Sequence, residues 1–221
     1  MTWDPLLLSL QVTSAATVLA TIVGVALAGL MVRSRFPGRD LLETLLTAPM
    51  VLPPTVLGYY LLTALGRTSI LGRAYESVFS EPLVFTPRAA VIAGFLAALP
   101  FVVKTTRAAM EEVDPRLTAA AATLGAPPFR VFVTIVLPLS RSGIVAGVTL
   151  GFARSLGDFG VTLMIAGNIP GLTQTASLAI YDAVQANREA EAAGLVTVLS
   201  AFAVAALYAG TKLAQRKPHA F

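Results

Sequence analysis

The chain has 221 residues, is 56% hydrophobic and 13% charged, and has a mean hydropathy of +0.76. A soluble domain of this length carries about twice that charged fraction, and apolar runs near the bilayer-spanning length of about 20 residues recur throughout, so a polytopic membrane protein is expected. Without cysteine there are no disulfides or thiolate metal sites, and the net charge of +4 reads as basic loops on one membrane face rather than a nucleic-acid surface.

The first element is an apolar run from Leu6 to Val32. Its start, MTWDPLLLSL, lacks the basic n-region of a secretory signal, so it is expected to be retained as a span. A second run, Leu41 to Leu65, contains APMVLPPTVLGYY. Pro49, Pro53 and Pro54 each remove a backbone donor at membrane depth, so the helix should kink or break. A kinked packing helix and a broken helix lining a polar pathway both fit. Tyr59 and Tyr60 read as interfacial or packing aromatics.

The third run is Arg88 to Ala109. Beyond it, Asp114 and Pro115 form a helix start, the carboxylate capping free amides and the proline sitting in the first turn. Arg116 to Leu124 is alanine-rich and helix-favouring. Gly125 suits the left-handed position after a helix end, and Pro127 and Pro128 prevent continuation. A second short segment, Phe129 to Val136, leads to Pro138, which should open a fourth span reaching Leu156. A loop so ordered and so weakly charged is suited to inserting into a partner. Arg130 would meet a partner carboxylate or a lipid phosphate.

In the fourth span Gly143, Gly147 and Gly151 lie on one face, which favours close helix packing. Residues 154–184 are semi-apolar and interrupted by glycines, so a short helix or re-entrant segment is expected there. Arg154 and Asp158 are four residues apart, a spacing for a structural ion pair or an anion site. Asn168, Thr173 and Gln174 are expected to face outward, towards a docking protein. A fifth span runs from Ala192 to Leu213, with only about eight residues after it and no room for a regulatory domain.

Lysine and arginine set the orientation. Arg33, Arg35, Arg39, Lys104, Arg107, Arg116, Arg130, Arg141, Lys212, Arg216 and Lys217 fall on one face, against Arg67, Arg73, Arg88 and Arg188 on the other. The positive-inside rule then puts the N-terminus outside and the C-terminus in the cytoplasm. The expected fold is an all-α bundle of about five transmembrane helices, a single domain over residues 1–221, with a cytoplasmic helical loop at about 111–138.

That loop resembles the EAA loop of permease subunits of binding-protein-dependent ABC importers. The family pattern is Glu-Ala-Ala, three residues, Gly, nine residues, Ile, one residue, Leu-Pro. Ala120, Ala121, Gly125, Ile135, Leu137 and Pro138 fall in register, and Ala119 stands where the family has glutamate. VLPPTVLGYYLL, FARSLGDFGVTLMIAGNIPG and TQTASLAIY resemble the molybdate branch, and sulfate permeases share a looser version of the region from Leu156 to Pro170. The resemblance implies a homodimer, two cytoplasmic ABC ATPase subunits that use ATP and Mg, and a periplasmic or lipid-anchored molybdate-binding protein. It further implies that the loop is a coupling helix and that the spans of both subunits line a central pathway, for which the candidate lining or gate residues in this chain are Pro53, Pro54, Arg154, Asp158 and Asn168.

No G-x-x-x-x-G-K-[ST] loop is present, so neither a bound nucleotide nor any other cofactor is expected in this chain. No metal site is expected either. With one imidazole, His219, no nucleophile–histidine constellation or metalloprotease motif exists, and enzymatic activity is not expected. The rival reading is a self-sufficient secondary anion transporter, for which Glu43 and Asp158 are the few candidate coupling acids.

Overall fold

The computed structural model of the chain describes residues 3–33 and 36–215. Arg35, Arg216, Lys217 and His219 lie outside the described residues. All regular structure among the described residues is helical.

Among the described residues, three helices are long and apolar enough to cross a membrane: α1 (Asp4–Arg33), α5 (Pro87–Glu111) and α12 (Glu189–Gln215). Two bent pairs raise the number of candidate spans to five. The first pair is α2 (Arg39–Val51) with α3 (Pro54–Leu65), bent by 116°. The second is the segment Pro128–Leu139 with α9 (Arg141–Leu156), bent by 70°. Within the former segment α7 (Pro128–Val131) runs into a π-helical turn, Phe132–Val136, and then α8 (Leu137–Leu139). The remaining helices are short: α4 (Ile70–Phe79), α6 (Pro115–Thr123), α10 (Gly160–Ala166) and α11 (Ala176–Gln185).

The second run is therefore a broken helix rather than a kinked one. Pro49 is accommodated inside α2, whereas Pro53 is extended (φ −52, ψ 136) and Pro54 starts α3 in the first turn. The fourth span also begins later than expected. Pro138 lies in α8, and the longer helix of this pair, α9, with 16 residues, starts at Arg141, after the buried Ser140. Proline cannot donate to the carbonyl four residues back, and its ring crowds that carbonyl. The turn before it widens accordingly, with Leu137 N–H donating five residues back to Phe132.

α5 is the central helix, with α1 and α9 against it. Small residues let these backbones approach. A Cβ on Gly24 of α1 would stand 2.8 Å from Val102 Cγ1, and one on Gly147 of α9 would stand 3.1 Å from Val102 Cα. Gly143 meets Ala109 and Gly151 meets the carbonyl of Ala98, so the glycine stripe packs against α5 within one subunit. One apolar cluster joins Val12, Ala89, Ala93, Val161 and Ile165, and a second joins Ala20, Met31, Leu99 and Val102. α12 is peripheral and buries few residues.

α4 was not foreseen from the sequence. Ser69 caps it, its Oγ accepting from Gly72 N–H at 2.8 Å, and Ser80 ends it in the left-handed region (φ 58). Arg67 and Glu76 pair at 2.9 Å, and Arg88 donates to Tyr75 Oη at 2.6 Å, holding the helix against the start of α5.

Candidate functional site

The loop between α5 and α9 folds as its sequence dictates. The Asp114 carboxylate accepts from Arg116 N–H at 2.9 Å, and Pro115 occupies the first turn of α6. At the other end Gly125 adopts φ +78. Gly125 N–H donates to Ala122 O at 3.0 Å and Ala126 N–H to Ala121 O at 3.1 Å, the two bonds of a Schellman stop.

None of the residues of α6 is buried. Ala119, Ala120 and Arg130 are exposed, Ala121, Ile135 and Leu137 are half-buried, and Pro138 is exposed. Leu124 and Phe129 are 88% and 74% exposed, an apolar pair left uncovered by the described residues. The loop is nonetheless tied to the bundle. The Phe132 ring packs on Gly29 of α1, where a Cβ would stand 2.8 Å from it. Ser140 Oγ donates to Val136 O at 2.8 Å and reaches Ala109 O of α5 at 3.3 Å. A cavity of about 330 Å³ under the loop is lined by Met110, Thr118, Ala122 and Phe132 among others.

The residues expected along a pathway divide into two groups. Arg154 and Asp158 meet at 3.3 Å, and Asp158 also accepts from Thr162 N–H (3.0 Å) and Thr162 Oγ1 (2.8 Å). Pro53 and Pro54 are exposed, and the Pro54 ring lies against Gly160, where a Cβ would be 2.6 Å from Pro54 Cβ. The helix break and the Arg154–Asp158 pair are thus brought to one corner. Asn168 is held elsewhere by Gln174 Nε2 at 3.0 Å.

Thr173 corrects the outward-facing expectation. It is fully buried, accepting from Ile169 N–H at 3.1 Å and donating to Gly167 O at 3.3 Å. A tight loop leaves backbone groups without regular partners, and a threonine hydroxyl turned into it supplies both kinds.

One charged cluster was missed. Arg107 of α5 bonds Glu43 of α2 at 2.6 Å and Glu111 at 2.8 Å, with Arg39 at 3.6 Å from Glu111. The four-residue spacing of Arg107 and Glu111 was visible, but the partner on α2 was not. Glu43 is thereby engaged as a structural carboxylate, not a free coupling acid.

The described residues thus form a bundle of apolar helices with bent pairs at two places and an exposed helical loop, the setting in which the comparisons with known proteins place a membrane transport component. The chain belongs to the family of binding-protein-dependent transport system inner membrane components, whose model matches residues 20–216. It is 42% identical to the molybdenum transport system permease protein ModB of Escherichia coli (strain K12), over 96% of this chain and 93% of that protein. It is 41% identical to the putative molybdenum transport system permease protein YvgM of Bacillus subtilis (strain 168), over 82% of this chain and 80% of that one. Similarity to the sulfate transport system permease protein CysT of Escherichia coli (strain K12) is lower, 34% over 91% of this chain. Among solved structures, a bacterial alginate ABC transporter in complex with an alginate pentasaccharide-bound periplasmic protein has a chain with TM-score 0.76, 15% identity and coverage of 96% of this chain and 78% of its own. That likeness speaks for the fold alone.

Proposed function

We propose that this chain is the permease subunit of an ATP-driven importer that carries molybdate, and tungstate with it, into the cytoplasm. The observation that carries the reading is the 42% identity to a molybdenum permease along nearly the whole chain. Two copies form the pathway, two ABC ATPase subunits sit on the cytoplasmic face, and a periplasmic or lipid-anchored binding protein delivers the oxyanion. The N-terminus lies outside, in keeping with the excess of basic residues around α6 and α7.

The loop geometry supports a coupling role for Ala119, Ala120, Ala121, Gly125, Arg130, Ile135, Leu137 and Pro138. The exposed Leu124 and Phe129 enter a groove on the ATPase, and Arg130 pairs with a carboxylate there. Displacement of α6 passes to the spans through Phe132 on Gly29 and Ser140 on Ala109. A ligand moves a conformational equilibrium only by contacting two states differently. ATP-driven closure of the ATPase pair supplies that difference. With Ala119 in place of the usual glutamate, docking relies on apolar contact and Arg130.

The test is uptake of labelled molybdate at nanomolar concentration in cells lacking this subunit, with labelled sulfate beside it. Loss of molybdate uptake alone is expected. Loss of sulfate uptake alone would assign a sulfate-type permease, and no change in either without a redundant importer would return the secondary transporter.

A further inference from the structure

Resting on the importer reading, we infer that the Arg154 guanidinium contacts the oxyanion in transit, and that Asp158 is a positioning residue holding it there.

Depth is the first observation. Ser155 packs on Gly94 of α5, seven residues from Pro87 and seventeen from Glu111. At 1.5 Å per residue this level is about 10 Å from one end of the span and about 25 Å from the other. Arg154 is therefore at membrane depth, not in a surface loop.

Exposure is the second. The Asp158 side chain is 2% exposed, whereas that of Arg154 is 36% exposed. Leu150 and Gly157, on the same helical face, are exposed too. A guanidinium is costly against hydrocarbon at this level, and its bond to Asp158 ties it to the start of α10. The exposed side therefore faces water or a second copy of the chain across a pathway.

The third is unused donor capacity. Arginine has five N–H donors, and among the described residues one hydrogen bond, to Asp158 Oδ1, engages them. Asp158 Oδ2 is taken by Thr162 N–H and Oγ1, so the carboxylate is fixed from both sides. By contrast, Arg107 is engaged by Glu43 and Glu111, and Arg88 bonds Tyr75 and stands near Glu81. The broken second span lies at the same corner, with Pro54 on Gly160, two residues past Asp158. Helix breaks at membrane depth are tolerated where they line a cavity.

The pairing sets the strength of the contact. A lone arginine would hold a tetrahedral dianion tightly and slow its exit. A guanidinium half-neutralised by Asp158 still offers planar N–H pairs to two oxyanion oxygens, but binds weakly enough to release it.

The chain contains no cysteine, so a single introduced thiol on this subunit is unambiguous. The test uses the complete transporter, with permease, ATPase and binding protein reconstituted in vesicles. Molybdate uptake by Arg154→Cys should fall by about tenfold or more, the scale of one lost charge-assisted hydrogen bond. Binding-protein-stimulated ATP hydrolysis should persist. A cationic, membrane-impermeant methanethiosulfonate should label the thiol and restore uptake, and an anionic one should label without restoring it. Wild-type uptake in the variant, no labelling from water, or equal recovery with both reagents would overturn the assignment. Should Arg154→Cys fail to assemble, Arg154→Lys must keep most uptake and Arg154→Gln must lose it. Equal uptake by those two would also overturn it. Absence of molybdate uptake in the wild-type complex would instead overturn the importer reading itself.

Discussion

The guanidinium of Arg107 on α5 meets the carboxylate of Glu43 on α2 at 2.6 Å, across 64 residues of sequence. α2 has no fully buried residue, so this pair and the packing of Leu42 and Leu46 on the second apolar cluster hold it to the bundle. α3, beyond the break, is held differently, by Gly58 on Met164 and Pro54 on Gly160. The two halves of the span are therefore anchored to different helices.

Glu43→Gln should lower the stability of the purified permease by about 1 kcal/mol or less, since Glu43 is 43% exposed and solvent screens the pair. Arg107→Ala should cost more, because it removes the cation that both Glu43 and Glu111 share and leaves Arg39, 3.6 Å from Glu111, to offset them. Thermal unfolding in detergent measures both. Uptake by Glu43→Gln should persist in ATP-loaded vesicles with the proton gradient collapsed, and its loss would revive the coupling-acid role.

The glycine face of α9 makes a packing prediction. A Cβ on Gly147 would stand 3.1 Å from Val102 Cα and against Thr105 Oγ1, at a helix–helix contact with no slack. Gly147→Val should destabilise by about 1–3 kcal/mol through overpacking. The measurement is the thermal midpoint and monodispersity of the purified protein. An unchanged midpoint would place the stripe at some looser contact.

The sequence made three spans legible because α1, α5 and α12 are long uninterrupted apolar helices. The loop was equally legible: Asp114, Pro115 and Gly125 act within one turn of themselves, so local chemistry suffices. Elsewhere the decisive contacts are non-local. Whether Pro53 and Pro54 kink or break the span depends on α3 docking through Gly58 onto Met164 of α10, more than a hundred residues away in sequence. Thr173 looked outward-facing because its composition is polar, yet the backbone of its own loop claims the hydroxyl. α4 escaped notice because, at ten residues with Ile70, Leu71, Val78 and Phe79 as its large apolar side chains, it is too short to register as a span. Arg154 and Asp158 were paired correctly by spacing, but their unequal burial was invisible until α5 and α10 were packed around them.

Gly125 separates a conformational requirement from a spatial one. Its φ is +78, and an added Cβ would meet nothing within 4 Å, so any penalty comes from the backbone alone. For an L-residue the left-handed region costs about 1–2 kcal/mol, more for a β-branched side chain, and asparagine tolerates it best. Gly125→Val should therefore loosen the stop of α6, leave the spans inserted and cut molybdate uptake by about tenfold, the factor that 1.4 kcal/mol represents. Gly125→Asn should retain most uptake. Co-purification of the ATPase with each variant tells whether the loss arises at docking. Full uptake by Gly125→Val would count against the loop as the coupling element, since a frayed α6 could not transmit the movement of the ATPase to Phe132 and Ser140.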